Sequence, residues 1–170
     1  HLPQTHWIIR LIRAVLDEIT PSVRLVTETN VPHGENLSYF GDGTNEAHMV
    51  YNFTLPPLVL YSIQRQTARE LTRWASTALK LPSTRVSFFN FLASHDGIGL
   101  NPVRGILSDA QITGLVDLTL QLGGEVSYKN NPDGSKSPYE LNINYLDALG
   151  VAGGGGTPQE LVQRFIVAHA

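Results

Sequence analysis

Three short runs rich in β-branched and aromatic residues constrain this chain more than any other feature: VRLVTET at 23–29, MVYNF at 49–53 and VSFFNFLA at 86–93. Each is too short for a helix of ordinary length and is bounded by polar or proline-bearing sequence, so each reads as a strand. Between the second and third lie Pro56, Pro57 and LVLYSIQRQTARELTRWASTAL, a single helix on its periodicity. Proline suits the first helical turn, where its missing N–H has no partner to lose. Ahead of the first strand, Thr5 to Ile19 repeats apolar residues on one helical face (Ile8, Ile9, Leu11, Ile12, Val15, Leu16, Ile19) and stops before Pro21. DAQITGLVDLTLQLG at 109–123 is helical in the same way. Strands alternating with helices predict an α/β fold with a parallel sheet and helical crossovers. The Leu/Ile/Val stripes of the helices are expected in the core. The near-continuous apolar run at 86–93 predicts a strand covered on both faces.

The remainder is loops and a C-terminal unit. Residues 31–47 form a long polar segment with one helical turn near Asn36 to Phe40, and a loop of that length in a compact domain is usually functional. His33 within it and His48 directly after it read as solvated. VSYK and PYELNINY flank the turn-rich NNPDGSKS, a hairpin pattern. GGGG at 153–156 reads as a linker or cap region. The last helix then starts with Thr157 as cap, Pro158 at the first position and Glu160 as the reciprocal capping residue.

Composition excludes several classes. A formal net charge of −3 gives no basic surface for nucleic acid or an anionic membrane. With no cysteine there is no disulfide and no thiolate metal site, which fits a cytoplasmic location. No apolar run reaches the roughly 20 residues of a membrane span. No His-x-x-x-His pattern points to a metal, and SYFGDGTNE neither follows a strand nor opens a helix, so it is a poor phosphate loop. No cofactor is expected.

In parallel α/β sheets the reactive groups gather at the C-terminal ends of the strands. The first strand ends at Glu28 and the third at His95 and Asp96, so two carboxylates and an imidazole should meet on one rim. A carboxyl at the end of an apolar strand should be partly desolvated, which raises its pKa and suits general-acid work. Taken singly, Glu28 reads equally as a carboxylate capping loop amides. The His95-Asp96 pair reads equally as a turn ahead of Gly97.

LVTETN, HMVYNFTLPPLVL and FFNFLASHDGIGLNP, in this order and spacing, resemble the catalytic barrel of glycoside hydrolase family 13, the α-amylase superfamily. HDGIG, YFGDGTNEAHMVYNFTLPPLVL and YELNINYLDAL look like its sucrose phosphorylase and glucosylglycerate phosphorylase branch. The resemblance covers essentially the whole chain. It implies a partial (β/α)8 TIM barrel: strands five to seven with flanking helices over residues 1–170, without strands one to four and strand eight.

The same resemblance implies the chemistry. Glu28 matches the general acid/base. Asp96 matches the third carboxylate, which holds ring hydroxyls and stabilises the transition state, and His95 helps to bind those hydroxyls. Residues 124–145 match a mobile acceptor loop in which Tyr139 and Glu140 are the candidates for touching acceptor or phosphate. Arg104 could meet an anionic group, or be an ordinary surface arginine. The nucleophilic aspartate would sit in an Arg-x-Asp motif before His1. The chain alone is therefore expected to be inactive, and its exposed sheet edges are expected to aggregate or to pair as a homodimer. The implied activity is retaining transfer of glucose from an α-glucoside, sucrose or glucosylglycerate, to phosphate. A hydrolase of the same superfamily and a non-catalytic binding module are the other classes.

Overall fold

The computed structural model describes residues 2–151 and 156–170. The glycine run read as a linker or cap lies, except for Gly156, outside the described residues. The order of elements is α1 (Pro3–Ile19), β1 (Val26–Thr27), α2 (His33–Ser38), β2 (Met49–Tyr51), α3 (Leu55–Arg65), α4 (Arg69–Ala78), β3 (Ser87–Phe89), β4 (Ile98–Gly99), a 3₁₀ turn (Asn101–Val103), α5 (Asp109–Gln121), β5 (Glu125–Asn130), β6 (Lys136–Asn142), α6 (Tyr145–Ala148) and α7 (Pro158–His169).

The three apolar runs pair as expected. β1, β2 and β3 form a parallel sheet in that order, with Val26 beside Met49 and Met49 beside Ser87. β4, β6 and β5 form a separate antiparallel sheet, and β5–β6 is the hairpin. α7 starts on the expected capping box of Thr157 and Glu160, with Pro158 in the first turn.

Four expectations need correction. The single helix between the second and third strands is two. α3 ends where Gln66 adopts φ 52°, and the N–H groups of Gln66 and Thr67 fold back onto Ile63 O and Ser62 O. Such a left-handed cap satisfies the last carbonyls and turns the chain, which apolar periodicity does not reveal. Second, β3 is not covered on both faces. Val50 is buried and Phe88 packs with it against Phe40 and Val86, whereas Phe89 on the opposite face is 40% exposed. The alternation of period two puts Tyr51, Phe53, Phe89 and Phe91 together as a mutually packed aromatic patch, with ring centroids of Tyr51 and Phe89 4.7 Å apart.

Third, most of the apolar stripe of α1 is not core. Ile8, Leu11, Ile12, Val15 and Ile19 are exposed, Ile9 packs against the Phe40 and Val50 cluster, and the helix docks mainly through its polar side. Glu46, 1% exposed, accepts bonds from His6 Nδ1 at 2.7 Å and Arg10 Nε at 2.9 Å, and its carbonyl accepts from Arg13 Nη1 at 2.8 Å. A buried carboxylate needs cationic partners, and this helix face supplies them. Fourth, the long segment is packed into the fold and is not an open loop. It buries Asn36, Tyr39, Phe40, Glu46 and His48. His33 and His48 are not solvated. The His33 ring bonds Thr54 Oγ1 and Ala78 O, and His48 Nδ1 accepts from Leu25 N–H at 3.0 Å.

The main core lies between α3, α4, α5 and the antiparallel sheet, centred on Leu58, Leu60, Leu100, Val103 and Leu141. It packs the second sheet beside the C-terminal rim of the first. The rim and the hairpin therefore meet.

Candidate active site

β1 delivers Glu28 one residue past its last paired position, on the same side of the strand as Val26 and hence on the aromatic side of the sheet. The segment after β3 delivers His95 and Asp96. The donor atoms of Glu28, His95 and Asp96 all lie within 4.8 Å of one another, and all three residues are exposed. The convergence read from the strand ends is present. The desolvation expected of Glu28 is not, since the residue is exposed. The three groups could also share a cation, although exposed carboxylates gather in this way without one.

Two details of the rim add to the sequence reading. His95 Nε2 lies 3.6 Å from Asp96 Oδ1, so the pair faces each other as well as the open rim. The turn beneath it is made by Ser94, whose Oγ accepts from the Asp96 N–H at 3.1 Å. Gly97 and Gly99 lead into and complete β4, and they are needed for close approach. A Cβ on Gly97 would stand 2.6 Å from Asn142 Oδ1 and 3.0 Å from Leu141 O. Below Asp96 a small cleft of about 100 Å³ opens between Phe53, Phe91, Gly97 and Tyr145.

The hairpin reaches the rim from the other side. Glu140 Oε1 accepts from Asn30 Nδ2 at 3.0 Å, and the Leu100 N–H donates to Tyr139 O at 2.9 Å. Burial pushes the Tyr139 hydroxyl pKa up, the charges of Glu140 and Asp96 add to the rise, and the Asn30 amide opposes it. Asn30 thus ties Glu140 to the strand end that carries Glu28, and Tyr139 lies close enough to Asp96 to feel its charge. Arg104 is half-buried and donates from Nη2 to Pro138 O at 2.8 Å, so it props the hairpin base instead of standing free on the surface. Asn30 was the residue missed. Its signal was its place in LVTETN, two residues beyond Glu28 and so on the same side of an extended chain.

An α/β segment with acid groups at the C-terminal ends of parallel strands is compatible with part of a TIM barrel and with other parallel α/β folds. The solved structure of sucrose 6F-phosphate phosphorylase from Thermoanaerobacter thermosaccharolyticum superimposes with a TM-score of 0.71 at 19% identity, covering 88% of this chain and 28% of that one. No protein-family model matches the chain. In sequence it is 52% identical over 170 residues to a glucosylglycerate phosphorylase of Escherichia coli, matching 100% of this chain and 30% of that protein. It is also 52% identical over 149 residues to a glucosylglycerate phosphorylase of Spirochaeta thermophila, 88% of this chain and 25% of that protein. Over its whole length the chain is similar to part of the glucosylglycerate phosphorylases, a likeness that supports a fragment from the sucrose phosphorylase and glucosylglycerate phosphorylase branch of glycoside hydrolase family 13. It spans about 30% of the length of the E. coli relative.

Proposed function

We propose that these residues are the acid/base and sugar-holding part of a retaining α-glucosyl phosphorylase that transfers glucose from glucosylglycerate, or from sucrose, to phosphate. The observation that carries this reading is the meeting of Glu28, His95 and Asp96 within 4.8 Å at the C-terminal rim of a parallel sheet. On this reading β1, β2 and β3 are strands five, six and seven of a (β/α)8 barrel, and the attacking carboxylate comes from outside residues 1–170. Glu28 protonates the leaving oxygen of the donor and later takes the proton from the incoming acceptor, as in a retaining double displacement. Asp96 and His95 hold ring hydroxyls and favour the positive charge that develops at the anomeric carbon. Tyr139 and Glu140 face the acceptor. Identity near 50% to glucosylglycerate phosphorylases favours glucosylglycerate as donor.

The test uses the full-length protein that contains these residues. With glucosylglycerate and phosphate, the expected product is α-glucose 1-phosphate, and Glu28→Gln is expected to abolish its formation from this donor. Glucose as the sole product at every phosphate concentration would make the protein a hydrolase. Unchanged turnover in Glu28→Gln would remove Glu28 from the mechanism.

A further inference from the structure

Asn30 joins the acid-bearing strand end to the hairpin in a closed circuit. Its Nδ2 donates to Glu140 Oε1 on β6 at 3.0 Å. Its carbonyl accepts from Asn101 Nδ2 at 3.4 Å, and Asn101 Oδ1 accepts from Lys129 Nζ on β5 at 2.9 Å. β5 and β6 are themselves paired from Glu125–Asn142 to Asn130–Lys136, which closes the loop back to Glu140. The side chain of Asn30 is pressed onto β4. A Cβ on Gly99 would meet its Oδ1 and Nδ2 at 2.8 Å, so only glycine lets the strand and the amide lie this close. Oδ1 is buried there without a hydrogen-bond partner among the described residues, so the amide is held by its other contacts at a cost.

We propose that Asn30 is a positioning residue that fixes the hairpin relative to Glu28 and thereby decides whether phosphate or water takes the glucosyl group. This rests on the reading of Glu28 as acid/base and of the hairpin as acceptor loop. In the second half-reaction the ester bond between glucose C1 and the enzyme's carboxylate breaks. A C1–O bond to the acceptor forms, and Glu28 takes the proton the acceptor gives up. Water needs little holding to attack. Phosphate must be oriented by groups on the hairpin, and a looser hairpin raises that entropic barrier for phosphate alone. The circuit therefore controls the choice of acceptor more than the rate at which the donor is consumed.

The experiment compares the full-length protein with Asn30→Ala and with Lys129→Met, which cuts the circuit at its far end without touching the rim. Two quantities are read: the ratio of glucose 1-phosphate to glucose at fixed phosphate, and hydrogen exchange of the hairpin amides. Both variants are expected to lower the product ratio by about 10- to 100-fold, with donor consumption changed by only about threefold or less, and to speed exchange in the hairpin. An unchanged ratio, or a fall in both products together, would overturn the proposal, since plain structural damage lowers both. If the unmodified protein makes no glucose 1-phosphate, the functional reading fails by itself. Exchange then decides the tie, and hairpin exchange unchanged by Asn30→Ala refutes it.

Discussion

Glu46→Gln should loosen α1, and the size of the effect follows from the contacts. The carboxylate is 1% exposed at the side chain and is held from both ends, by His6 Nδ1 at 2.7 Å on one oxygen and by Arg10 Nε and Nη2 at 2.9 Å on the other. The glutamine keeps the volume and one acceptor oxygen but turns an NH₂ toward one of the two donors. Charge-assisted bonds are worth about 1.5–3 kcal/mol each, against about 0.5–1.5 kcal/mol for neutral ones. The Arg10 side chain is 50% exposed, so its share is largely screened. The His6 side keeps most of its value, and the sum is a loss of about 2–3 kcal/mol. At about 1.4 kcal/mol per decade this speeds local opening of α1 about 30- to 150-fold. Hydrogen exchange of the α1 amides measures it directly, since the helix leaves most of its apolar side in solvent. Arg13 Nη1 bonds the Glu46 carbonyl, not its side chain, and remains as a second anchor. Adding Arg13→Met should therefore free the helix by more than the sum of the single effects. Exchange within about threefold of the unmodified protein would refute the idea that α1 is docked by charge.

Three further outcomes are expected. Burial, with Arg13 and Arg24 nearby, holds the His48 pKa below its usual 6.5 despite Asp17, and Nδ1 already accepts the Leu25 N–H. The unfolded chain therefore binds this proton more readily than the folded one, and stability should drop as pH falls from 6.5 toward the depressed folded value, a slope that His48→Gln should flatten in urea titrations. Gln66→Gly, at φ 52°, should raise stability by about 0.5–1 kcal/mol in the same titrations, because the left-handed conformation suits a residue without Cβ. Thr157→Ala removes the hydroxyl that caps Glu160 N–H and should cost about 1 kcal/mol, seen as faster exchange in the first turn of α7.

Sequence periodicity located the strands, the hairpin and the capping box of α7, because each depends on residues near one another in the chain. The meeting of Glu28 with His95 and Asp96 was legible for a different reason: parallel strands deliver their ends to one rim whatever lies between them. Docking of α1 was harder to see, although its signal was present. His6, Arg10, Arg13 and Asp17 recur at the same helical spacing as the apolar stripe. Periodicity names two faces and cannot say which one is buried; the answer depended on Glu46, far along the chain in a segment that looked like solvent-exposed loop. The tie through Asn30 was hidden likewise, since its partner Glu140 lies 110 residues away.

The exposed state of Glu28 bears on how such a rim could work. A general acid at neutral pH needs its neutral form favoured, and the strand-end position was expected to supply that by burial. Here the carboxylate stands open above an aromatic floor of Tyr51, Phe53, Phe89 and Phe91, of which Phe89 is 40% exposed. On the proposed reading, a sugar ring laid against that floor would itself strip water from Glu28, with Asp96 and His95 within 4.8 Å to meet the ring hydroxyls. Donor binding would thus prepare the proton that the first step needs. Asn30 would then keep Tyr139 and Glu140 in place for the acceptor of the second. The scaffold around the rim fits that division of labour: Thr29 and Asn36 bond each other at 2.9 Å, and Asn36 also holds Tyr51 O at 2.7 Å. These bonds tie the residue after Glu28 to β2 through Asn36, while the Glu28 side chain stays exposed.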